Sequence, residues 1–489
     1  MHIVEVAAEF APIAKVGGLG DVLTGLSREL TRLHEEVEVI LPKYDFISPH
    51  LLHNLRLEIE EFSSLENGRQ YTNAMWSAES EGCQLRLLES HHPADYFHRG
   101  KIYGCEDDIP RFLYFSRAVA EYLKLKNRPI DILHLHDWHV SALAPLVRDL
   151  FSRQIKVKAI VLTIHNVDYQ GLCSPDDVAA IGLTDPTKFR NDDPKYPHLI
   201  NLLKGGVVYA DSIVAVSPTY AKEILTSEQG GHLDASLRKN KQKLTGILNG
   251  IDAQLWDPAT DPHLTASYTS TDSIAKIVQA KKTNKEALAK QFCLDASRPW
   301  FGSICRLVPQ KAPELLAQAL PYILKLNGTF TLLGSSPTPA IQKQFDELKS
   351  LYPGALLHFE YNEPLSHQLY SALDFFLMPS HFEPCGLTQL IAMHYGALPI
   401  AHSTGGLRDT VFDCEDPLIP NAQRNGFTFL PPTFPAFQAG IDRASRLYRT
   451  DPATFQTIQK RNMQLDVSWA HPTQAYLRLF NNLITNKQT

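Results

Sequence analysis

The sequence lacks the features that direct a protein to a membrane, a disulfide framework or a nucleic acid. No apolar run approaches the roughly 18 residues that a transmembrane helix needs, so no membrane span is expected. The seven cysteines are scattered and never form a C-x-x-C pair, which argues against structural disulfides and a zinc site. The net charge is -6 and long Lys/Arg clusters are absent, so binding to nucleic acid is not expected.

A secretory signal is also missing. The N-terminus has no basic region, and Met1–Val6 is typical of a first strand. Together with the odd number and wide scatter of the cysteines, this favours a reducing compartment, and we expect a cytoplasmic protein. No Asp-x-Asp triad occurs in the chain, and we expect neither a metal ion nor a cofactor. The sequence does not indicate an oligomeric state.

What is present is typical of a large α/β protein. At 489 residues the chain is too long for one ordinary core, and its 44% hydrophobic and 20% charged residues are usual for a globular protein. Patterns of buried strands alternate with amphipathic helices in both halves, and in the second half they predict strands near 300–305, 329–333, 355–360, 374–378 and 398–402. This alternation predicts a parallel, doubly wound sheet in each half.

The stretch Ser380–Leu390 joins a predicted buried strand to a predicted helix. Glu383 therefore lies beyond the carboxyl end of a strand, at the edge where open α/β sheets bind ligands. Gly386–Thr388, at the start of the helix, can offer backbone N–H groups to a phosphate. Position alone favours a simpler interpretation, in which Glu383 complements the helix dipole.

A glycine-containing loop follows the first strand. Lys15, Gly17 and Gly18 precede a helix, so backbone N–H groups and one cation can approach a diphosphate there. The loop is not a dinucleotide fingerprint, because Leu23 stands at the third glycine position and no ribose-binding acid ends the second strand. The alternative is a surface lysine in a flexible loop.

Polar groups end two further predicted strands of the first half. Asp137 follows one strand, where it can cap the next predicted helix, Val140–Leu150, or face a ligand, and its position favours capping. His165 and Asn166 follow the next strand, where the histidine can donate to a sugar hydroxyl or to a backbone carbonyl. Two polar clusters at the same edge of a sheet favour one shared site.

Two cations follow the first strand of the second half. Arg306 and Lys311 lie between that strand and a predicted helix, so both charges can meet phosphate oxygens at the helix N-terminus. Taken singly, such residues are more often solvated surface charges. Tyr361 follows a later strand, where its ring can stack on a nucleobase or pack under the sheet edge.

These stretches together resemble the bacterial glycogen synthases and plant starch synthases, which are retaining glucosyltransferases. The resemblance extends from Lys15 to Trp469 and rests on the motifs Lys-x-Gly-Gly, His-x-His-Asp-Trp-His, Thr-x-His-Asn, Arg-Leu-x-x-Gln-Lys and the run Ser380–Leu390. Ala312-Pro313 replaces the glycine that normally follows Lys311 in the family, which leaves the nucleotide preference open. A second glutamate known in related transferases is Ile391 here, as in the synthase branch.

The resemblance implies the GT-B architecture, with two Rossmann-like domains facing each other across a cleft. It divides the chain into an acceptor-side domain (1–247), a nucleotide-sugar domain (248–467) and a C-terminal helix (468–489) that crosses back to the first domain. It implies transfer of glucose from a nucleotide diphosphoglucose, most simply ADP-glucose, to the non-reducing end of an α-1,4-glucan such as glycogen, with retention of configuration.

The site residues follow from the same resemblance and from the motifs above. Those expected to be catalytic are Glu383, His165, Asp137, Lys311 and Arg306. Those expected to bind substrate are Lys15, Gly17, Gly18, Asp21, Asn166, Asn249, Tyr361, Cys385, Gly386, Leu387 and Thr388. Three alternatives remain open: a phosphorylase that requires pyridoxal phosphate, a related transferase with a small acceptor, and a sensor that binds a sugar nucleotide without turnover.

Overall fold

The computed structural model describes residues 1–360 and 362–485. The chain forms two compact units, one of Met1–Gly250 with Trp469–Thr489 and one of Ile251–Ser468. Each unit is built around one twisted sheet with helices packed on it, which confirms the predicted α/β class.

The first unit begins with a strand and a helix and continues in that alternation. Its strands are β1 (His2–Val6), β2 (Glu36–Pro42), β3 (His53–Glu66), β4 (Arg69–Ser80), β5 (Cys83–Ser90), β6 (Ile130–His136), β7 (Val157–Ile164), β8 (Leu172–Cys173), β9 (Ile200–Asn201), β10 (Ser212–Ala215) and β11 (Leu244–Gly246). Its helices are α1 (Gly18–Arg32), α2 (Asp108–Lys126), α3 (Trp138–Ser141), α4 (Leu143–Pro145), α5 (Pro175–Ala180), α6 (Leu202–Tyr209), α7 (Pro218–Glu223) and α8 (Asp234–Lys239).

The main sheet of the first unit has the order β11-β10-β7-β6-β1-β2-β5-β4-β3. The strands from β11 to β5 are parallel, and β4 and β3 extend the sheet as an antiparallel hairpin. The chain order reverses between β1 and β6, and ligands of doubly wound sheets bind at the carboxyl ends of the strands at such a point. The loops after β1, β6 and β7 are therefore the ones placed to bind a ligand.

The second unit has the same construction. Its strands are β12 (Trp300–Ile304), β13 (Thr329–Leu333), β14 (Leu356–His358), β15 (Phe375–Met378), β16 (Leu398–His402) and β17 (Phe427–Phe429). Its helices are α9 (Ile274–Phe292), α10 (Pro313–Lys325), α11 (Pro339–Leu351), α12 (Glu363–Ala372), α13 (Thr388–His394), α14 (Gly405–Thr410), α15 (Phe434–Thr450) and α16 (Pro452–Met463). The five strands predicted from the second-half sequence are all present.

The sheet of the second unit has the order β14-β13-β12-β15-β16-β17, and every pair in it is parallel. This is the Rossmann strand order, with its reversal between β12 and β15. Apolar side chains cover both faces of the sheet, including Phe301 and Phe375 on one face and Trp300 and Phe376 on the other. The loops after β12 and β15 carry Arg306, Lys311 and Glu383 to the binding edge.

One local expectation differs from the structure. The helix predicted over 140–150 is divided into α3, α4 and a wider π-helical turn at Leu146–Leu150, because Pro145 cannot donate a backbone hydrogen bond. The strand β4 had no distinct pattern of its own in the sequence. The last helix, α17 (Ala470–Thr485), belongs to the first unit, where Tyr476 and Phe480 are buried against His134 of β6.

Candidate active site

In the second unit, the loops after β12 and β15 are joined by an ion pair. Lys311 Nζ lies 2.5 Å from Glu383 Oε2, and Ser380 Oγ donates to the same oxygen at 3.0 Å. Glu383 is only 5% exposed, whereas a quarter of the Lys311 side chain reaches solvent. Glu383 therefore does not act mainly on the dipole of α13, which begins five residues later; its charge is balanced by Lys311.

Backbone contacts hold these two loops in register. The amide of His381 donates to the carbonyl of Gln310 at 2.9 Å, and Gln310 Nε2 donates to the carbonyl of Phe382 at 3.3 Å. Arg306, in the first of these loops, is exposed and has no ion-pair partner within residues 1–360 and 362–485. Its guanidinium is therefore open to an anionic ligand.

The turn into α13 is built around a glycine. Gly386 has a φ of 76°, and a Cβ there would lie 2.4 Å from Gln389 Oε1, so the turn requires glycine. Gln389 Nε2 donates to the carbonyls of Cys385 and Gly386 at 3.2 and 3.0 Å. Cys385 is buried, while Leu387 and Thr388 remain partly exposed at the start of the helix.

In the first unit, the loop after β1 brings two predicted residues together. Lys15 Nζ lies 2.7 Å from Asp21 Oδ1, and both side chains are about one-third exposed. Gly17 caps α1 in extended backbone, and α1 begins at Gly18. Open space surrounds the position where a Gly17 Cβ would stand, so bare backbone is accessible at this turn.

The shape of this loop depends on a carboxylate, Glu9, that was not among the predicted site residues. Glu9 is 3% exposed, and its Oε2 accepts from the amides of Val16 and Gly17 at 2.8 and 2.9 Å. Its Oε1 accepts from the Tyr103 hydroxyl at 2.9 Å. Glu9 holds the loop through Oε2, and Tyr103 supports Glu9 through Oε1.

Asp137 links β6 to the end of β7. Its side chain does not cap the helix that follows; instead its Oδ1 accepts from the amide of His165 at 2.7 Å. Its backbone has φ 61° and ψ -174°, a region that residues other than glycine avoid and that is found most often at functional sites. Burial raises the pKa of this carboxyl from 3.8 to about 7.

His165 is half-buried and is held through its ring as well as its backbone. His165 Nε2 lies 3.0 Å from His136 Nδ1, and burial keeps the pKa of His165 well below its usual range. Asn166 is also half-buried, and its Oδ1 accepts from the Asp168 amide at 3.0 Å. His165 is therefore a neutral, oriented imidazole.

Two predicted residues remain to be described. Asn249 is 6% exposed, and its buried Oδ1 has no hydrogen-bond partner within the described part of the chain. Such an orphan oxygen is unusual in a folded protein and is satisfied when a ligand or water donates to it. Tyr361 lies outside the described residues.

Comparisons with known proteins match both halves of the chain. Residues 2–239 match the family described as "Starch synthase catalytic domain", and residues 298–433 match "Glycosyl transferases group 1". A glycogen synthase from Protochlamydia amoebophila (strain UWE25) is 40% identical over 98% of this chain and 99% of its own length. The chain belongs to the glycogen synthase and starch synthase family. It is a glucosyltransferase of this type.

A solved relative extends the match to three dimensions. The catalytic domain of starch synthase IV from Arabidopsis thaliana, described as bound to ADP and acarbose, has a TM-score of 0.94 and 40% identity, with 99% of both chains covered. A sucrose-phosphate synthase from Thermosynechococcus elongatus covers 99% of both chains at a TM-score of 0.60 and 19% identity, a likeness of fold alone. These matches confirm the synthase resemblance and the GT-B fold class.

The first unit of this chain also has an open cavity. Part of its lining comes from residues that follow His165 closely in the sequence. The cavity has a volume of about 330 Å³, and Trp138, Tyr169, Gln170 and Asn191 are among its lining residues. Tyr169 is more than half exposed. An exposed aromatic ring beside amide side chains suits a sugar, which presents both an apolar face and hydroxyl groups.

A buried cluster lies behind these residues. Glu5, His134 and His136 are 0% exposed, and their ligand-type atoms lie close enough to share a metal ion. However, both histidines approach a single oxygen, Glu5 Oε2, at 2.7 and 2.8 Å, which are lengths of hydrogen bonds and ion pairs. A zinc ion would need each ligand at about 2 Å from a common centre. The contacts in this cluster are therefore hydrogen bonds and ion pairs between its own side chains.

The sequence motifs did not reveal Glu5, Glu9 or the role of His136. Each lies in or beside a strand whose apolar pattern hides one polar residue. A buried charge inside a strand was the available signal, because a carboxylate rarely lies in a core without a partner. In the first unit, Glu5 is such a residue.

Proposed function

We propose that this enzyme transfers glucose from ADP-glucose to the non-reducing end of an α-1,4-glucan, with retention of the α configuration. The observation that carries the donor assignment is the starch synthase IV structure bound to ADP, whose fold this chain reproduces at a TM-score of 0.94. ADP is the group that leaves ADP-glucose when the glucosyl bond breaks. The glucan acceptor is supported by the glycogen synthase relative.

The nucleotide-sugar domain, residues 248–467, would bind the donor. The departing diphosphate gains negative charge, which fixed cations stabilise in the transition state. Arg306 is exposed and unpaired within the described residues, and the Lys311 ammonium keeps hydrogens available beyond the one it gives to Glu383. Lys15 and the backbone of Gly18, in the first unit, stay among the proposed substrate-binding residues, whereas the Gly17 amide already donates to Glu9.

Glu383 is not placed as a free nucleophile. Its Oε2 is occupied by Lys311 and Ser380, and the position of the second family glutamate is Ile391, a buried apolar residue. We therefore propose a front-face reaction, in which glucose has partial positive charge while the acceptor approaches on the side of the leaving group. Glu383 would stabilise that charge and hold Lys311 in place.

The acceptor-side domain, residues 1–247, would bind the acceptor. The cavity lined by Trp138, Tyr169 and Gln170 suits a glucan end. His165, Asn166 and Asn249 would contact the donor glucose, and Asp137 would hold His165. The alternative is that the acceptor is a small molecule and not a glucan.

The deciding experiment is incorporation of labelled glucose into glycogen, with ADP-glucose and UDP-glucose tested in parallel. The proposal expects transfer from ADP-glucose and a lower but measurable rate with UDP-glucose, because stacking on a base gives affinity with little choice of base. Transfer to sucrose-type or trehalose-type acceptors but not to glycogen would overturn the acceptor assignment. Binding of ADP without turnover would contradict the proposed glucose transfer and would favour a sensor that binds a sugar nucleotide.

A cytoplasmic location belongs to the same proposal. None of the seven cysteines, all of which lie in the described residues, forms a disulfide, and a reducing compartment keeps thiols in that state. No helix in the described ranges is long and apolar enough to cross a membrane. Fractionation of cells that produce the native protein tests the location.

A further inference from the structure

A chain of three buried side chains runs from the core of the first unit to His165. Glu5 lies on β1, and His136 lies on the neighbouring parallel strand β6. His136 Nε2 contacts Glu5 Oε2 at 2.7 Å, and His136 Nδ1 contacts His165 Nε2 at 3.0 Å. Glu5 and His136 are both 0% exposed, so no water competes for either contact.

The charges of this chain follow from burial and neighbours. Burial raises the pKa of Glu5, but interactions with His134 and His136 outweigh it and lower that pKa to about 2. Burial lowers the pKa of His136 to about 4, and repulsion from His134 acts in the same direction. Near neutral pH, Glu5 is therefore a carboxylate, and both His136 and His165 are neutral imidazoles.

These contacts determine where each proton lies. A carboxylate only accepts hydrogen bonds, so His136 must carry its hydrogen on Nε2. A neutral imidazole has one N–H, which leaves a lone pair on His136 Nδ1, and that lone pair accepts from His165 Nε2. His165 then has a bare Nδ1, for which no hydrogen-bond partner lies among the described residues.

We propose that Glu5 and His136 are positioning residues that hold His165 as the Nε2–H tautomer, so that its Nδ1 accepts a hydrogen bond from a hydroxyl of the donor glucose. This extends the proposed function and rests on it for the identity of the sugar. It also reverses the direction that the sequence suggested, in which His165 donates. A neutral acceptor suits a hydroxyl near the reacting carbon, because it adds no positive charge beside a centre that is itself becoming positive.

The first test is spectroscopic and needs no substrate. Protein labelled with ¹⁵N in histidine is studied by long-range ¹H–¹⁵N correlation, and the His165 signals are assigned by their loss in a His165→Gln variant. The expected pattern has a protonated Nε2 and a bare Nδ1. An Nδ1–H tautomer or a charged imidazolium at neutral pH would overturn the proposal, even in an enzyme with normal glucose transfer.

The second test uses a matched pair of variants. In His136→Gln the amide still donates to Glu5, but no atom replaces Nδ1, so the link to His165 is cut. His134→Gln alters an equally buried residue of the same strand that contacts Glu5 but not His165. His136→Gln should lose the Nε2–H pattern and about 10-fold in kcat/KM, whereas His134→Gln should keep the pattern.

Rescue and a donor analogue complete the design. His136→Asn places an amide oxygen near the former Nδ1, so it should restore the Nε2–H pattern and part of the activity. ADP-glucose analogues that each lack one hydroxyl identify the sugar contact. With the analogue that lacks the hydroxyl bound by His165, the kcat/KM values of His136→Gln and of the unaltered enzyme should have a ratio of about 1.

The outcomes separate this proposal from the proposed function. If the unaltered protein shows the Nε2–H tautomer but transfers no glucose, the proposed function fails, and the sugar contact fails with it. If glucose transfer is normal and His136→Gln keeps both the pattern and full activity, the positioning role is wrong while the function stands. If His136→Gln lowers kcat/KM by the same factor with every analogue, the proposal that His165 accepts a hydrogen bond from a sugar hydroxyl is refuted.

Discussion

Lys311 and Glu383 form the ion pair that joins the loops after β12 and β15, with Nζ and Oε2 2.5 Å apart. The pair combines a mostly buried carboxylate with a cation that still reaches solvent. Removing either partner therefore changes both the charge available to a diphosphate and the stability of the second unit.

Lys311→Ala should lower turnover by on the order of 10²-fold, because it removes a preorganised cation from the leaving group. It should also lower the free energy of unfolding by about 3 kcal/mol, because Glu383 is left buried and unpaired. The double variant Lys311→Ala/Glu383→Gln should recover most of the stability and none of the activity. Steady-state kinetics and urea unfolding measure both effects; a single variant with full stability would show that the pair is not structural.

Arg306→Ala should separate catalysis from stability. Arg306 is exposed and has no ion-pair partner in the described ranges, so the free energy of unfolding should change by less than about 0.5 kcal/mol. Turnover should nevertheless fall by on the order of 10²-fold. Arg298→Ala is the matched control, because Arg298 pairs with Asp295 at the other end of β12. Near-native turnover of Arg306→Ala would remove Arg306 from the diphosphate site.

Asp137→Asn should change how stability depends on pH. The pKa of Asp137 is raised from 3.8 to about 7, so between these values the folded protein binds a proton that the unfolded chain does not. The free energy of unfolding of the native enzyme therefore contains a term that falls as pH rises from about 4 to about 7. The free energy of unfolding of Asp137→Asn, relative to that of the native enzyme, should rise by up to about 1.4 kcal/mol per pH unit in that range. Above that range the difference should stay constant. Parallel stability curves would contradict the raised pKa.

Ala312→Gly should be nearly neutral for stability. Ala312 has φ 50° and ψ 57°, a left-handed conformation that costs a residue with a Cβ about 1 to 2 kcal/mol. Relief of that cost offsets the loss of a buried methyl group and the added entropy of a glycine. Ala319→Gly, equally buried but inside α10, has no strain to relieve and should cost about 1 to 2 kcal/mol. Equal costs for the two variants, measured by denaturant unfolding, would refute the strain at Ala312.

Exhaustive chelation should leave glucose transfer unchanged, because Arg306 and Lys311 are proposed to balance the diphosphate charge. The assay compares enzyme dialysed against EDTA with the same enzyme after addition of magnesium or manganese. Loss of activity that either ion restores would show that the fixed cations are insufficient.

The motifs at the carboxyl ends of strands were readable from the sequence because the pattern of each strand and helix is local. Alternation of buried strands with amphipathic helices predicted the second-half sheet, and the polar residues after each strand marked its binding edge. Resemblance then assigned chemistry to Lys15, His165, Arg306, Lys311 and Glu383. The break of the helix over 140–150 was less predictable, since one proline inside an apolar run changes the turn without changing the pattern.

The sequence by itself determined the α/β class, the two-part organisation and the family, because hydrophobic period and motif spacing are properties of neighbouring residues. Only the tertiary structure decided the pairings: Lys311 with Glu383, Glu9 with the Lys15 loop, Asp137 with the amide of His165, and Glu5 with His136. Each pairing joins residues that are distant in the chain or side chains whose direction depends on sheet register. A buried carboxylate takes whichever donor the fold places beside it, and no local pattern encodes that choice.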